Sequence, residues 1–313
     1  MSTREMMKRK PKVLVLDSFD QEFFERLEEY CEVLNEARLE ETEILIVRSN
    51  TRVDRELISR LPNLRLVVTA THGEDHIDKQ ALAERGIPYK TAPVQSYDVA
   101  QSVMAYVFAF ATNMVIADRS MKKGEWRKKE LVGFRVEGKT LGIIGYGRIG
   151  REVAKQALAN GLKVMVYEKD AGARLENSLP VRFAETLEEL LSSSDIITIH
   201  VPLTDETRGM IGERELAIVK KGAFLINTAR GGIVDEEALL KALETGRLAG
   251  AALDVFHHQP PLVNNSSEKL ARHEKVIASP HSIAQTRETL RQKGETVLEI
   301  IRNYVSNPKG SAF

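Results

Sequence analysis

A short apolar run, Leu141 to Ile144, breaks into Gly145-Tyr146-Gly147-Arg148-Ile149-Gly150, and Arg151 to Leu158 then carries apolar residues at helical spacing (Val153, Ala154, Ala157, Leu158). The pattern predicts a strand, a tight turn and a helix. Each glycine has a physical reason in such a turn: Gly145 makes the bend, Gly147 lets backbone approach a pyrophosphate, and Gly150 permits close packing of helix on strand. The helix N-terminus then offers unpaired N–H groups and a positive dipole end to phosphates.

A second strand is expected from Lys163 to Tyr167, ending at Glu168. An acid at that point accepts hydrogen bonds from both ribose hydroxyls and repels a 2′-phosphate, so NAD is favoured over NADP. Lys169 beside it softens the preference. The alternation continues with strands from Ile196 to His200, Ala223 to Asn227, Ala249 to Asp254 and Val276 to Ala278, making six parallel strands of a Rossmann sheet. Thr186 with Glu189 three residues on reads as a capping box.

The preceding hundred residues alternate in the same way. Strands are expected from Lys12 to Asp17, Ile44 to Val47, Leu66 to Thr69 and Ile87 to Tyr89, with helices around Asp20 to Tyr30, Asp54 to Arg60 and Asp78 to Arg85. Asp98 to Met121 reads as one long apolar helix connecting two domains, and Thr286 to Tyr304 as an amphipathic helix with no Rossmann strand to return to. The expected fold class is therefore α/β, two Rossmann-like domains with doubly wound parallel sheets. The substrate domain is discontinuous, residues 1–100 and 285–313, and residues 101–284 form the NAD-binding domain.

A length of 313 residues exceeds what one hydrophobic core usually supports, which agrees with two domains. Lys+Arg and Asp+Glu balance at 45 each, so total charge steers the chain toward neither nucleic acid nor membrane. The apolar stretch from Val103 to Ala117 is shorter than the roughly 20 residues of a membrane span. Met1 to Lys10 lacks the apolar core of a signal peptide and reads as a frayed end. The single cysteine, Cys31, excludes an internal disulfide and fits a reducing compartment, the cytoplasm; its surroundings suit a packed, inert thiol.

In open α/β sheets ligands bind beyond the carboxyl ends of the strands, so polar residues there are the candidates for chemistry. They are Asn227-Thr228-Ala229-Arg230, Asp254, Gln259 and Ser279-Pro280-His281. Arg230 is followed by two glycines and has a planar fork suited to a carboxylate. His281 is the proton carrier of choice. His200 ends a strand and lines the cofactor on this reading, while His257, His258 and His273 lack metal-ligand spacing, so no metal is expected.

The Rossmann segment, together with HVPLTDETRGMIG (His200 to Gly212), INTARGGIVDEEAL (Ile226 to Leu239), GAALDVF (Gly250 to Phe256) and SPH (Ser279 to His281), resembles the D-isomer-specific 2-hydroxyacid dehydrogenases. That family includes D-lactate, glycerate, hydroxypyruvate/glyoxylate, 3-phosphoglycerate and formate dehydrogenases. The resemblance implies a cleft between the domains and a homodimer formed through the cofactor domain. It also implies that Arg230 binds the substrate carboxylate and that His281 exchanges the hydroxyl proton while hydride passes between C2 and the nicotinamide. By the same likeness Arg148 and Ile149 lie on the pyrophosphate, with Glu168 on the ribose. Val201, Pro202, Thr228 and Ala229 follow along the nucleotide, and Asp254 lies near the nicotinamide. Thr71, His72 and Gly73 match the loop that receives the substrate carboxylate, and Arg48 matches a phosphate-side arginine of phosphoglycerate dehydrogenases.

Several positions depart from the family pattern. Where the family places a Glu that pairs with the catalytic histidine, this chain has Gln259; an amide orients the ring without supplying charge, so ketone reduction is expected to be weaker at neutral pH. Formate dehydrogenases also carry Gln there, with longer N-terminal segments than this sequence has. Ile283 stands where glycine is common and is expected to crowd the nicotinamide. Thr69 replaces a phosphoglycerate dehydrogenase arginine, and the hinge near Gln101 is about one residue short. The leading expectation is an NAD-dependent oxidoreductase of small 2-hydroxy or 2-keto acids, with Arg230, Gln259 and His281 as an altered triad. The alternatives are an NAD(H)-binding sensor or assembly protein with weakened catalysis, and a formate dehydrogenase-like enzyme.

Overall fold

The computed structural model of the protein describes residues 9–71, 73–175, 178–261 and 265–306. His72 of the expected substrate loop and most of the N-terminal stretch lie outside the described residues. The chain divides into two compact units, Met1–Gln95 with Thr286–Phe313, and Ser96–Gln285.

The first unit runs β1 (Lys12–Val15), α1 (Gln21–Tyr30), β2 (Glu32–Leu34), β3 (Ile44–Val47), α2 (Arg55–Ser59), β4 (Leu66–Thr69), α3 (Lys79–Glu84) and β5 (Tyr89–Thr91). All pairings are parallel, in the order β2-β1-β3-β4-β5. β3 and β4 are buried along their whole length, as strands covered on both faces must be. α1, α2 and α3 each start on an aspartate whose carboxylate accepts an N–H of the first turn: Asp20 from Phe23, Asp54 from Leu57 and Asp78 from Ala81. β2 was not legible in the sequence, because three residues on an edge give no periodicity. Cys31 beside it is buried, and burial pushes its thiol up to about 12.

The second unit begins with α4 (Ser96–Thr112) and α5 (Met114–Lys122). It continues as β6 (Thr140–Ile144), α6 (Arg148–Ala159), β7 (Lys163–Tyr167), α7 (Ala171–Leu175), β8 (Arg182–Phe183), α8 (Leu187–Ser193) and β9 (Ile196–Ile199). The last elements are α9 (Glu213–Ile218), β10 (Ala223–Asn227), α10 (Glu236–Glu244), β11 (Leu248–Leu253), α11 (Ser266–Arg272) and β12 (Val276–Ala278). Its strands form one parallel sheet ordered β12-β11-β10-β9-β6-β7-β8, with one strand more than the sequence predicts. The addition is β8, two residues on the edge beside β7. Separate apolar clusters cover its two faces. At α8 the capping box is half formed: Thr186 accepts from Glu189 N, but the Glu189 carboxylate takes the N–H of Glu185 instead.

The expected single helix from Asp98 to Met121 is two. Asn113 sits between them with φ 54°, and the helices meet at a 64° bend. Asparagine is among the few residues that tolerate this left-handed backbone, and inside an apolar run it gave no stop signal. Among the described residues no single helix is long and apolar enough to cross a membrane, although this bent pair passes that test by length and composition. The α4 residues Val103, Val107 and Phe110 are buried in a protein core instead.

The final helix, α12 (Arg287–Ser306), belongs to the first unit, where Val297, Leu298 and Ile301 pack with Phe23 and Leu27 of α1. At Asn113 a β-branched residue is expected to strain the bend: Asn113→Val should lower stability by about 1–2 kcal/mol, and Asn113→Gly should leave it near wild type, both read by thermal unfolding.

Candidate active site

The β6–α6 turn shows which glycines the protein itself requires. Gly145 has φ +95°, and a Cβ there would meet the His200 carbonyl at 2.7 Å; a Cβ on Gly150 would lie 2.1 Å from the Gly145 oxygen. At Gly147 a Cβ would meet nothing within 4 Å. Internal packing therefore explains Gly145 and Gly150 and leaves Gly147 open to an external group. Among the described residues no side chain caps α6 at this end.

Glu168, at the end of β7, braces the same turn. One carboxylate oxygen accepts the N–H of Tyr146 at 2.6 Å and the other that of Asp170 at 2.9 Å. Arg151 donates to the Tyr146 carbonyl from the other side and lies over the Tyr146 ring. At the end of β9, His200 N donates to Ile144 O, and its ring bonds to the Thr198 hydroxyl at 2.9 Å. Desolvation holds the imidazole pKa down at about 3, so it is neutral at working pH. Val201 lies against Gly145, and the carbonyl of Pro202 accepts from Thr207.

Beyond β10, the Asn227 side chain staples its own loop, donating to Arg230 O at 2.8 Å and accepting from Ala229 N at 3.1 Å. Arg230 is half-buried and one of its guanidinium nitrogens donates to Ala229 O. Gly231 explains how close this loop comes to the next one: a Cβ there would sit 2.0 Å from the Phe256 carbonyl carbon. Thr228 Oγ1 is buried without a hydrogen-bond partner among the described residues. Buried hydroxyls seldom stay unpaired, so this one suits a ligand. With the open Gly147, it makes the residues present fit a dinucleotide.

His281 follows β12 in a loop organised by Asp254, which is 1% exposed. The Asp254 carboxylate accepts Ser279 Oγ at 2.5 Å and Ser282 N at 2.9 Å, and its backbone carbonyl accepts His281 N at 2.9 Å. The Ser279 proton is spent on Asp254, so Tyr106 of α4 must donate its own to Ser279, at 2.6 Å. These bonds hold His281 at φ 52°, a left-handed backbone unusual outside glycine. Burial raises the Asp254 pKa, opposed by Ser279 and Ser282.

Gln259 meets His281 as the sequence suggests, Oε1 to Nδ1 at 3.1 Å. Its Nε2 donates to Phe256 O at 3.2 Å, which fixes the amide with oxygen toward the ring. An amide oxygen only accepts, so Nδ1 carries a proton. Sequence reasoning missed the support behind this pair. Glu236, in the first turn of α10, accepts His257 N at 2.7 Å and the hydroxyl of buried Ser267 at 2.5 Å, holding the segment that presents Gln259. Glu236 falls inside the INTARGGIVDEEAL motif with no role of its own assigned there, and Tyr106 is marked only by helix patterning. Ile283, expected against the nicotinamide, packs half-buried on the apolar cluster of α4.

In the first unit, Arg48 follows β3; its N–H donates to Asp17 at 2.5 Å and its guanidinium to Ser18 O at 3.0 Å. At the end of β4, Thr71 Oγ1 donates to Gly73 O at 2.7 Å. Among the described residues no three His, Cys, Asp or Glu side chains gather as metal ligands do.

A Rossmann sheet with a glycine turn, an acid at the end of the next strand, and an arginine and a histidine in the loops after β10 and β12 fits the class of nicotinamide-dependent dehydrogenases. Residues 104–282 match the family model described as D-isomer specific 2-hydroxyacid dehydrogenase, NAD binding domain. The chain belongs to this family. It is 41% identical over 262 residues to a hydroxypyruvate reductase of Thermotoga maritima, covering 83% of this chain and 84% of that one. It is 39% identical over 301 residues to a D-3-phosphoglycerate dehydrogenase of Methanocaldococcus jannaschii, covering 93% of this chain and 57% of the relative. The chain spans about half the length of the phosphoglycerate dehydrogenases it matches. Among solved structures, a D-lactate dehydrogenase from Aquifex aeolicus complexed with NAD and lactic acid has a TM-score of 0.83 at 30% identity, over 95% of this chain and 97% of that one.

His200 yields a prediction of sign. Its pKa lies below that of an unfolded histidine, so as pH falls from 6.5 toward 3 the unfolded chain binds a proton that the folded chain refuses, and stability drops. Replacing it should flatten that fall: His200→Gln is expected to lose about 1 kcal/mol less per pH unit than wild type between pH 6 and 4, measured by urea unfolding.

Proposed function

We propose that this chain is an NAD-dependent oxidoreductase that transfers hydride between NAD(H) and a small D-2-hydroxy acid or 2-keto acid, of the glyoxylate/hydroxypyruvate, lactate or 3-phosphoglycerate type. The observation that carries the reading is His281, held at φ 52° by the Asp254 loop with Nδ1 on Gln259, at the same end of the sheet as the glycine turn. Gly145, Gly147, Arg148, Ile149 and Gly150 would hold the pyrophosphate, Glu168 the ribose, Val201, Pro202, Thr228 and Ala229 the nucleotide, and Asp254 the nicotinamide side. NAD supplies the hydride acceptor when bound.

The protein residues do the rest. The Arg230 guanidinium binds the acid's carboxylate and polarises the C2 oxygen. His281 Nε2 takes the hydroxyl proton in oxidation and returns it in reduction. Arg48, Thr71, His72 and Gly73 are assigned to the substrate. With a neutral amide at residue 259, the imidazolium needed for reduction lacks the counter-charge that a carboxylate there provides. The cytoplasm is the proposed setting. A homodimer is proposed from the exposed apolar side chains of the α4–α5 region and the segment after it: Phe108, Met114, Met121, Trp126 and Val132.

NADH oxidation against glyoxylate, hydroxypyruvate, pyruvate, 2-ketobutyrate and phosphohydroxypyruvate from pH 5 to 9 tests the reading. Wild type is expected to turn over one of these fastest at acid pH, and Gln259→Glu should move its optimum upward by about one pH unit. Binding of NADH without oxidation by any acid would replace the enzyme with a nucleotide-sensing protein. Light scattering is expected to give twice the 35.1 kDa chain mass, and Trp126→Glu should shift the population toward monomer.

A further inference from the structure

The end of β4 carries a hydroxyl chain that the proposed reaction does not by itself require. Thr69 Oγ1 lies 2.7 Å from Thr71 Oγ1 and 2.9 Å from His76 Nε2, and Thr71 Oγ1 lies 2.7 Å from Gly73 O. Thr69 is fully buried and Thr71 is 8% exposed. Counting protons gives the chain a direction. A carbonyl only accepts, so the Thr71 proton is spent on Gly73. Thr69 must then give its proton to Thr71, and the Thr69 oxygen can accept only from His76. His76 Nε2 therefore carries a hydrogen, and the order His76 → Thr69 → Thr71 → Gly73 is fixed.

The origin of the chain is itself pinned. The carbonyl of His76 accepts Val53 N at 2.8 Å, Asp78 N donates to Val53 O at 2.8 Å, and Val53 pairs with Ile77 as an isolated bridge. At the other end, Ala70 N donates to Val47 O, so the backbone entering the turn is tied to β3. Thr71 and Gly73 thus lie between a bridge and a strand, and a line of hydrogen bonds connects them to both.

We propose that His76 and Thr69 are positioning residues for substrate: they hold Thr71 and Gly73 at the height at which the turn after β4 receives the carboxylate of the 2-hydroxy acid. This rests on the dehydrogenase reading above. Neither residue touches the acid; each acts through the next hydroxyl. The relay governs acid binding and leaves nicotinamide binding and the proton exchange at His281 alone.

Thr69→Val removes the hydroxyl at nearly constant volume and interrupts the relay, whereas Thr69→Ser keeps it. Thr69→Val is expected to raise KM for the best 2-keto acid about tenfold, the size of one lost buried hydrogen bond, with kcat and the NADH Kd within about twofold of wild type. Thr69→Ser should restore KM to within about twofold. Nitrogen-15 NMR of the wild-type His76 ring, free of substrate, is expected to show the tautomer protonated at Nε2, and thermal unfolding checks that both variants are folded. A ring protonated only at Nδ1 overturns the relay whatever the kinetics. The expected tautomer with an unchanged KM in Thr69→Val, or a fall in kcat in place of the rise in KM, overturns the positioning role. If wild type oxidises no NADH with any acid while the tautomer is as expected, the dehydrogenase reading has failed and takes the substrate role with it, and the ring signature separates that failure from a failure of the relay.

Discussion

The buried carboxylate of Asp254 is the interaction on which the candidate site depends. A left-handed backbone at a residue other than glycine is costly, and His281 adopts one. Asp254 offsets that cost by collecting Ser279 Oγ and Ser282 N on its side chain and His281 N on its backbone. Each donor removes part of the cost of burying the charge, and each fixes one more point of the loop. Tyr106 extends the network to α4, so a helix remote in sequence sets the backbone of the proposed proton carrier.

Close backbone approach does comparable work on the neighbouring loop. Gly231 lies so near the Phe256 carbonyl that any side chain would part the loops after β10 and β11. Arg230 lies on one of these loops and Gln259 follows the other. Their relation is therefore set by a missing Cβ, while Glu236 and Ser267 keep the second loop from drifting. Neither device involves the residues that would meet a substrate.

Much of this was legible in the sequence because it has a period or a chemical signature. Parallel strands show as apolar runs, the glycine turn as a fixed spacing, and the strand-end residues Arg230, Asp254 and His281 as polar interruptions. What was not legible lacks such marks. β2 and β8 are too short for periodicity, Asn113 bends an apolar run without a breaker, and the hydrogen bonds made by Glu236, Tyr106 and Thr69 join segments whose approach no local pattern shows. Ile283 shows another limit of the sequence: its size is legible, but its packing on the apolar cluster of α4 is a tertiary contact that no local pattern announces.

The amide at residue 259 gains meaning from this frame. Because Gln259 Nε2 is engaged by Phe256 O, the side chain cannot flip, and the ring's Nδ1 is obliged to carry a proton. Orientation of His281 is thus preserved in full while the adjacent charge is lost. Asp254 also acts on His281, and its carboxylate is already satisfied by Ser279 and Ser282 and is itself disfavoured by burial. Such a carboxylate stabilises an imidazolium less than a free partner at residue 259 would. The amide at residue 259 therefore separates two effects that a carboxylate there would combine: it fixes the ring through Nδ1 and places no charge beside it.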